Sequence, residues 1–97
     1  MILDQNNQYM KRLNKSFQMN EKWFVYIVEC SDKTLYTGIT NNLDKRIQNH
    51  NDGKGAKYTK GRRPVTLLKS FECISKSEAL KMEYKIKQMS REEKLNL

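Results

Sequence analysis

The stretch that decides the fold spans residues 23–38 and reads WFVYIVECSDKTLYTG. Two short runs rich in β-branched and aromatic residues flank the polar triplet 31–33, a pattern typical of a β-hairpin with a tight loop. If those three residues form the loop, residue 30 pairs with residue 34. Tyr26 and Tyr36 then lie on one face of the sheet as near-diagonal neighbours, beside Gly38 at the end of the second strand.

The composition predicts one small domain and a polyanionic partner. The chain has 97 residues, of which 37% are apolar, enough for a single modest core. Nineteen Lys and Arg against 11 Asp and Glu leave a net charge of +8, which favours phosphate contacts with a polyanionic partner such as DNA or RNA. A basic surface that serves only solubility is the alternative.

The positive charge is concentrated between residues 45 and 63, where seven basic residues face one acid, Asp52. The segment also holds three glycines, which favours a mobile loop that lays backbone amides, ammonium groups and one aromatic ring along a phosphodiester. The alternative is a solvated basic loop without a function. The expected nucleic-acid contacts are Lys54, Lys57, Tyr58, Lys60, Arg62 and Arg63.

Several classes of protein are disfavoured. The longest apolar run is Trp23 to Val28, too short for a membrane span, and no signal pattern opens the chain. Cys30 and Cys73 lack the spacing of a zinc site and have only one histidine to accompany them. We therefore expect two reduced thiols in a cytoplasmic protein.

Residues 1–22 differ in kind from the rest. A polar opening and a weak helical pattern predict a flexible leader with little fixed structure, and residues 23–97 are expected to form the domain. Met19 is an alternative start of translation.

A short helix is predicted at about 42–51, because Leu43 and Ile47 recur at helical spacing after capping candidates. Arg46 and His50 fall on the same face as these two apolar residues. Arg46 either extends over the edge of the core or has a catalytic role. His50 is either a satisfied, partly buried histidine or a catalytic or phosphate-contacting group.

The rest of the chain predicts a third strand and a second helix. A loosely alternating strand at 65–73 is expected to place Val65, Leu67, Phe71 and Cys73 on one side. A capping box from Ser75 to Glu78 opens a helix to about residue 89, with a buried stripe of Ala79, Met82, Ile86 and Met89. The predicted fold class is α+β: a three-stranded antiparallel sheet flanked by helices, with a short C-terminal helical piece.

Glu83 lies on the rim of that apolar stripe. A carboxylate there is costly unless it meets a cation. It therefore pairs with Arg46 or a lysine as part of the structure, or it binds a metal ion.

The order of these residues resembles the GIY-YIG nuclease superfamily. Phe24-Val25-Tyr26 and Tyr36-Thr37-Gly38 match its two triplets, and Arg46 and Glu83 follow in the family's order. The chain looks most like the small single-domain bacterial branch, related to the N-terminal nuclease domain of the excision-repair endonuclease. The resemblance covers about residues 23–94, and Phe24 and Thr37 depart from the residues of the family's name.

The resemblance implies a metal-dependent endonuclease that hydrolyses phosphodiester bonds in DNA, with a role in repair or recombination. Glu83 would hold one Mg²⁺ or Mn²⁺ without a second carboxylate beside it, and Arg46 would grip the scissile phosphate. A tyrosine, Tyr26 more than Tyr36, would help to activate water. Gly38 would allow a close approach of backbone. The rival hypothesis is a nucleic-acid-binding module of the same fold that does not cut.

Overall fold

The computed structural model describes residues 22–97, so the predicted leader lies outside the described residues except for Lys22. The elements in chain order are β1 (Trp23–Glu29), β2 (Leu35–Thr40), α1 (Leu43–Asn51), α2 (Lys57–Lys60), β3 (Thr66–Cys73), α3 (Lys76–Lys87) and α4 (Arg91–Leu95). The three strands form one antiparallel sheet in the order β2-β1-β3. The predicted α+β fold is confirmed. Among the described residues, no helix is long and apolar enough to cross a membrane.

The hairpin between β1 and β2 has the predicted three-residue loop. The Cys30 amide donates to the Thr34 carbonyl at 2.8 Å, and the Lys33 amide donates back to the Cys30 carbonyl at 2.9 Å. Lys33 has a φ of 72°, the left-handed conformation that closes such a loop. The predicted register is confirmed, since every β1–β2 pair follows from this loop.

The two faces of the sheet are covered by different helices. We call the face under α3 the apolar face; its buried residues are Val25, Ile27, Cys73, Ala79 and Ile86. We call the face under α1 the tyrosine face; its buried residues are Tyr26, Val28, Cys30 and Val65, with Leu43, Ile47 and Tyr36 packed against them. The predicted stripe of α3 is confirmed, because Met82 and Met89 also pack against the apolar face.

A β-bulge in β3 makes one prediction wrong. The register shifts between Ile27 and Val28, where Leu68 is the extra residue. An extra residue inverts the alternation of side chains, so Val65 joins the tyrosine face while Cys73 joins the apolar face. The four residues predicted to share a side, Val65, Leu67, Phe71 and Cys73, therefore do not.

The ends of α3 agree with the prediction only in part. The Ser75 hydroxyl accepts a hydrogen bond from the Glu78 amide at 3.1 Å, as predicted. The Glu78 carboxylate, however, lies 3.8 Å from the Lys81 ammonium. The helix ends at Lys87, earlier than predicted. A complete capping box occurs instead at Ser90, where it opens the short C-terminal helix α4.

Candidate active site

Tyr26 lies at the centre of the tyrosine face, with none of its surface exposed. Strand pairing places it directly opposite Gly38. A Cβ atom added at Gly38 would lie 2.6 Å from the Tyr26 Oη, so any side chain there would displace the phenol. Glycine at this position therefore lets the backbone lie directly against the Tyr26 ring.

Helix α1 brings two polar side chains to the Tyr26 hydroxyl. The helix begins after Asn42, whose side chain caps it, and its inward stripe is the predicted one. Arg46 donates from Nε to the Tyr26 Oη at 3.0 Å. The Nε2 atom of His50 lies 2.7 Å from the same oxygen. The Tyr26 hydroxyl is therefore hydrogen-bonded to Arg46 and to His50 at once.

His50 is itself fully buried. Its Nδ1 atom lies 2.8 Å from the Thr59 hydroxyl, which comes from α2. Burial and the nearby charge of Arg46 lower the pKa of His50 to about 4, so the imidazole is neutral at pH 7. His50 is a buried, hydrogen-bonded histidine, and its catalytic role stays a prediction. Both ring nitrogens of His50 thus contact hydroxyl groups of the protein itself.

The hydroxyl of Tyr26 is a protonated phenol at neutral pH. Burial raises the pKa of Tyr26 above its ordinary value; the hydrogen bond and the charge of Arg46 oppose that rise, while the charges of Tyr36 and Glu83 add to it. Tyr26 can therefore accept a proton only if it passes its own to another group.

Tyr36 and Tyr58 extend the cluster towards the protein surface. The Tyr36 ring centroid lies 6.4 Å from that of Tyr26 and 5.5 Å from that of His50. Tyr58 stacks on Tyr36, with centroids 5.9 Å apart, and the Arg62 guanidinium lies 3.9 Å from the Tyr58 centroid. The ring of Tyr58, predicted to contact nucleic acid, is thus engaged by the protein itself.

The basic segment predicted as a loop contains the helix α2, and its cations differ in their contacts. Arg62 pairs with Asp32 at 3.0 Å and donates to the Tyr58 carbonyl at 2.8 Å. Arg63 donates to the Lys60 carbonyl at 2.9 Å. The two arginines hold the segment in place. Within residues 22–97, Lys54, Lys57 and Lys60 form no side-chain ion pair and are exposed.

Glu83 pairs with a lysine, one of the two structural alternatives. Its carboxylate lies 3.2 Å from the Lys87 ammonium, and its side chain is only 18% exposed. No group of three or more His, Cys, Asp or Glu within the described residues could hold a metal ion. A single hard carboxylate nevertheless fits Mg²⁺ or Mn²⁺, which keep several waters and take phosphate oxygens as ligands.

Sequence reasoning missed two residues of this site. Gly55 is the first, because the position next to His50 has no room for a side chain: a Cβ there would lie 2.3 Å from the His50 Nδ1. Thr59 is fully buried and contacts the same nitrogen. No local pattern marks Thr59. Gly55 is visible in the sequence, but its spacing to His50 has a meaning only once the chain has folded back.

Comparison with known proteins identifies the class. Residues 22–96 match the GIY-YIG catalytic domain, so the chain belongs to the GIY-YIG family. Members of this family are generally nucleases, which act on nucleic acid and use divalent metals. The resemblance found in the sequence is confirmed.

The relatives within the family are small UPF0213 proteins. The chain is 56% identical to the one from Oceanobacillus iheyensis, over 81% of this chain and 92% of the relative. It is 62% identical to one from Syntrophus aciditrophicus, over 78% and 88%. A solution NMR structure of a protein from E. faecalis is 32% identical, with a TM-score of 0.55, over 80% of this chain and 85% of that one. These names specify no substrate.

Proposed function

We propose that this protein is a metal-dependent endonuclease that hydrolyses phosphodiester bonds in DNA. The observation that carries the proposal is the convergence of Arg46 and His50 on the buried Tyr26 hydroxyl, at 3.0 and 2.7 Å. Family membership supports a nuclease. Each of these groups has a part in hydrolysis that follows from its surroundings.

Tyr26 and His50 together act as the base. The raised pKa of Tyr26 keeps its proton in place until a water molecule attacks the phosphorus. Tyr26 then takes a proton from the water as its own passes to His50 Nε2, which is neutral at pH 7. The negative charge of a free phenolate is never fully developed in the buried site.

Arg46 stabilises the phosphate. Its charge is fixed, and the guanidinium has four further N–H donors besides the Nε that contacts Tyr26, enough to serve both Tyr36 and a phosphate oxygen. The guanidinium therefore places its charge on the scissile phosphate while it orients the phenol. Donors aimed at charge that develops in the transition state contribute about 3 kcal/mol each.

Glu83 would hold the metal ion, with Mg²⁺ or Mn²⁺ as the expected cation. When bound, the ion stabilises the charge on the leaving oxygen. Glu83 must exchange its contact with Lys87 for the ion. That ion pair is the observation that favours the second candidate function, a nucleic-acid-binding module that does not cut.

Nicking of supercoiled plasmid, measured with Mg²⁺, with Mn²⁺ and with a chelator, separates the two functions. Glu83→Gln should abolish metal-dependent nicking, and Arg46→Ala should slow it by at least about 100-fold, while both still bind DNA. Glu78→Gln is the matched control on the exposed side of the same helix and should nick normally. Binding without nicking by the wild-type protein under all conditions would establish the binding module.

The salt dependence of binding tests the partner. Replacing Lys57 and Lys60 by Ala should make the slope of log K against log salt shallower by about two units at most, because each removes one phosphate contact. Arg62→Ala should lower the melting temperature and change the slope less, because Arg62 is already paired with Asp32. Replacing Lys81 and Lys85 on α3 controls for net charge. A slope that responds equally to both pairs of lysines would place the nucleic acid elsewhere.

A further inference from the structure

We propose that Thr59 is a positioning residue that holds His50 in the one neutral tautomer able to take the Tyr26 proton. This inference rests on the proposed function for its catalytic consequence. The tautomer itself is a property of the folded protein and is measurable without a substrate.

The direction of the hydrogen bonds at Thr59 fixes the tautomer. The Thr59 hydroxyl has one proton, and it donates to the Ala56 carbonyl at 3.0 Å. A carbonyl oxygen can only accept, so the Thr59 oxygen must accept at its other contact, from His50 Nδ1 at 2.8 Å. His50 therefore carries its proton on Nδ1, and Nε2 has a lone pair directed at the Tyr26 hydroxyl.

The other neutral tautomer would stop proton transfer. With its proton on Nε2, His50 would donate to the Tyr26 oxygen, which already accepts from Arg46. The phenol proton would then have no acceptor in the chain of hydrogen bonds. Among the described residues Thr59 supplies the hydrogen bond at Nδ1, whereas Tyr26 contacts Nε2. The other titratable or charged groups near His50 are Tyr36, by ring contact, and Arg46, by its charge.

Thr59 is held in place from several directions. It is fully buried, and the Arg62 amide donates to its carbonyl at 3.0 Å. The Arg62 carbonyl accepts from the Ser31 amide at 2.9 Å, while its side chain pairs with Asp32, so α2 is fixed to the hairpin loop. On the other side, Gly55 packs against His50 with no room for a side chain, since a Cβ there would lie 2.3 Å from the His50 Nδ1. The tautomer is thus selected by a rigid contact.

Two variants and one matched control test this. Thr59→Val removes the hydroxyl, and Thr59→Ser keeps it. Thr37→Val makes the same change at another buried threonine, whose hydroxyl has no partner within the described residues. Because His50 is the chain's single histidine, two-bond ¹H–¹⁵N NMR spectra report its tautomer without assignment. In parallel, kcat and KM for nicking are measured for each variant.

We expect the Nδ1–H tautomer in the wild type, in Thr59→Ser and in Thr37→Val, and a shift towards Nε2–H in Thr59→Val. The kcat of Thr59→Val should fall at least about tenfold with little change in KM, and Thr59→Ser should restore it. An Nε2–H tautomer in the wild type would overturn the proposal, even if Thr59→Val fails to fold. So would an unchanged tautomer or an unchanged kcat in Thr59→Val. If the expected tautomers are found but the wild type never nicks, the proposed function fails and the role of Thr59 in selecting the tautomer stands.

Discussion

The two faces of the sheet bury different chemistry on the same strands. Tyr26 and Ile27 are adjacent in β1, yet Ile27 packs among aliphatic side chains and Tyr26 enters a chain of hydrogen bonds that continues through His50 to Thr59. All three polar residues of that chain are fully buried. The alternation of one strand thus separates the side chains that stabilise the fold from those placed for chemistry.

Two threonines show the same contrast at a single atom. The Thr59 hydroxyl is hydrogen-bonded to His50 and to the Ala56 carbonyl. The Thr37 hydroxyl, opposite Ile27 in the sheet, is buried without a partner among the described residues. An unpaired buried hydroxyl costs about 1–3 kcal/mol. The apolar face therefore buries one hydroxyl without a hydrogen bond, whereas on the tyrosine face the buried polar atoms of Tyr26, His50 and Thr59 are all hydrogen-bonded.

The largest effect on stability is expected from Ile86→Ala on the apolar face. Ile86 is 3% exposed, and its truncation leaves a cavity, so the free energy of unfolding should fall by about 2–5 kcal/mol. Leu80→Ala, on the same helix but 47% exposed, should change it by about 0.5 kcal/mol or less. Denaturant titration measures both. Nicking per folded molecule should stay unchanged, and a loss of rate in folded Ile86→Ala would show that the faces are coupled.

A smaller loss of stability with a larger loss of activity is expected from Gly55→Ala on the tyrosine face. The new methyl group would lie 2.8 Å from the His50 Cα and must displace backbone. Overpacking of this kind costs about 1–3 kcal/mol. Gly61→Ala is the matched control in the same segment, since a Cβ there meets nothing within 4 Å. Denaturant titration and nicking rates should distinguish the two, and equal behaviour would contradict the close fit around His50.

The third effect is a dependence of stability on pH that comes from His50 on the tyrosine face. The folded-state pKa of His50 is lowered to about 4, so between about pH 6.5 and pH 4 the unfolded chain binds a proton that the folded chain does not. Stability should therefore fall as the pH is lowered through this range, by at most about 1.4 kcal/mol per pH unit from His50.

The contribution of His50 is the difference in the pH dependence of stability between the wild type and His50→Asn. Titrating carboxylates are common to both proteins, so their effect cancels in this difference. An NMR titration of the single histidine gives the pKa directly. A value near 6.5 in the folded protein would contradict the burial that sets the tyrosine face apart.

Local sequence signals predicted much of this arrangement. The polar triplet at the hairpin loop determines the register by parity, so the positions of Tyr26 and Gly38 follow from the loop. Helical spacing places Arg46 and His50 on the face that meets the sheet. These predictions depend on periodicity within one element or on one tight turn, which are the strongest signals a sequence carries.

The remainder depends on contacts between distant segments. The bulge at Leu68 reverses which side chains of β3 point to each face of the sheet, and no residue type in that run predicts it. Thr59 reaches His50 only because the segment after α1 folds back along the hairpin. Glu83 likewise had several cations within reach, and the sequence does not say that Lys87 is its partner. Such outcomes are decided by tertiary packing.

The side chain of Asn51 closes the segment that carries Thr59. Its amide nitrogen donates to the Val65 carbonyl at 3.1 Å, and its carbonyl oxygen accepts from the Val65 amide at 2.7 Å, as a neighbouring strand would. The two ends of residues 52–64 are therefore joined by this pair of hydrogen bonds. A chain whose ends are already joined loses less conformational entropy when its middle docks. Exchanges at its exposed positions, such as Lys57 and Lys60, can accordingly vary what the segment presents to a partner, while Gly55 and Thr59 stay packed against His50.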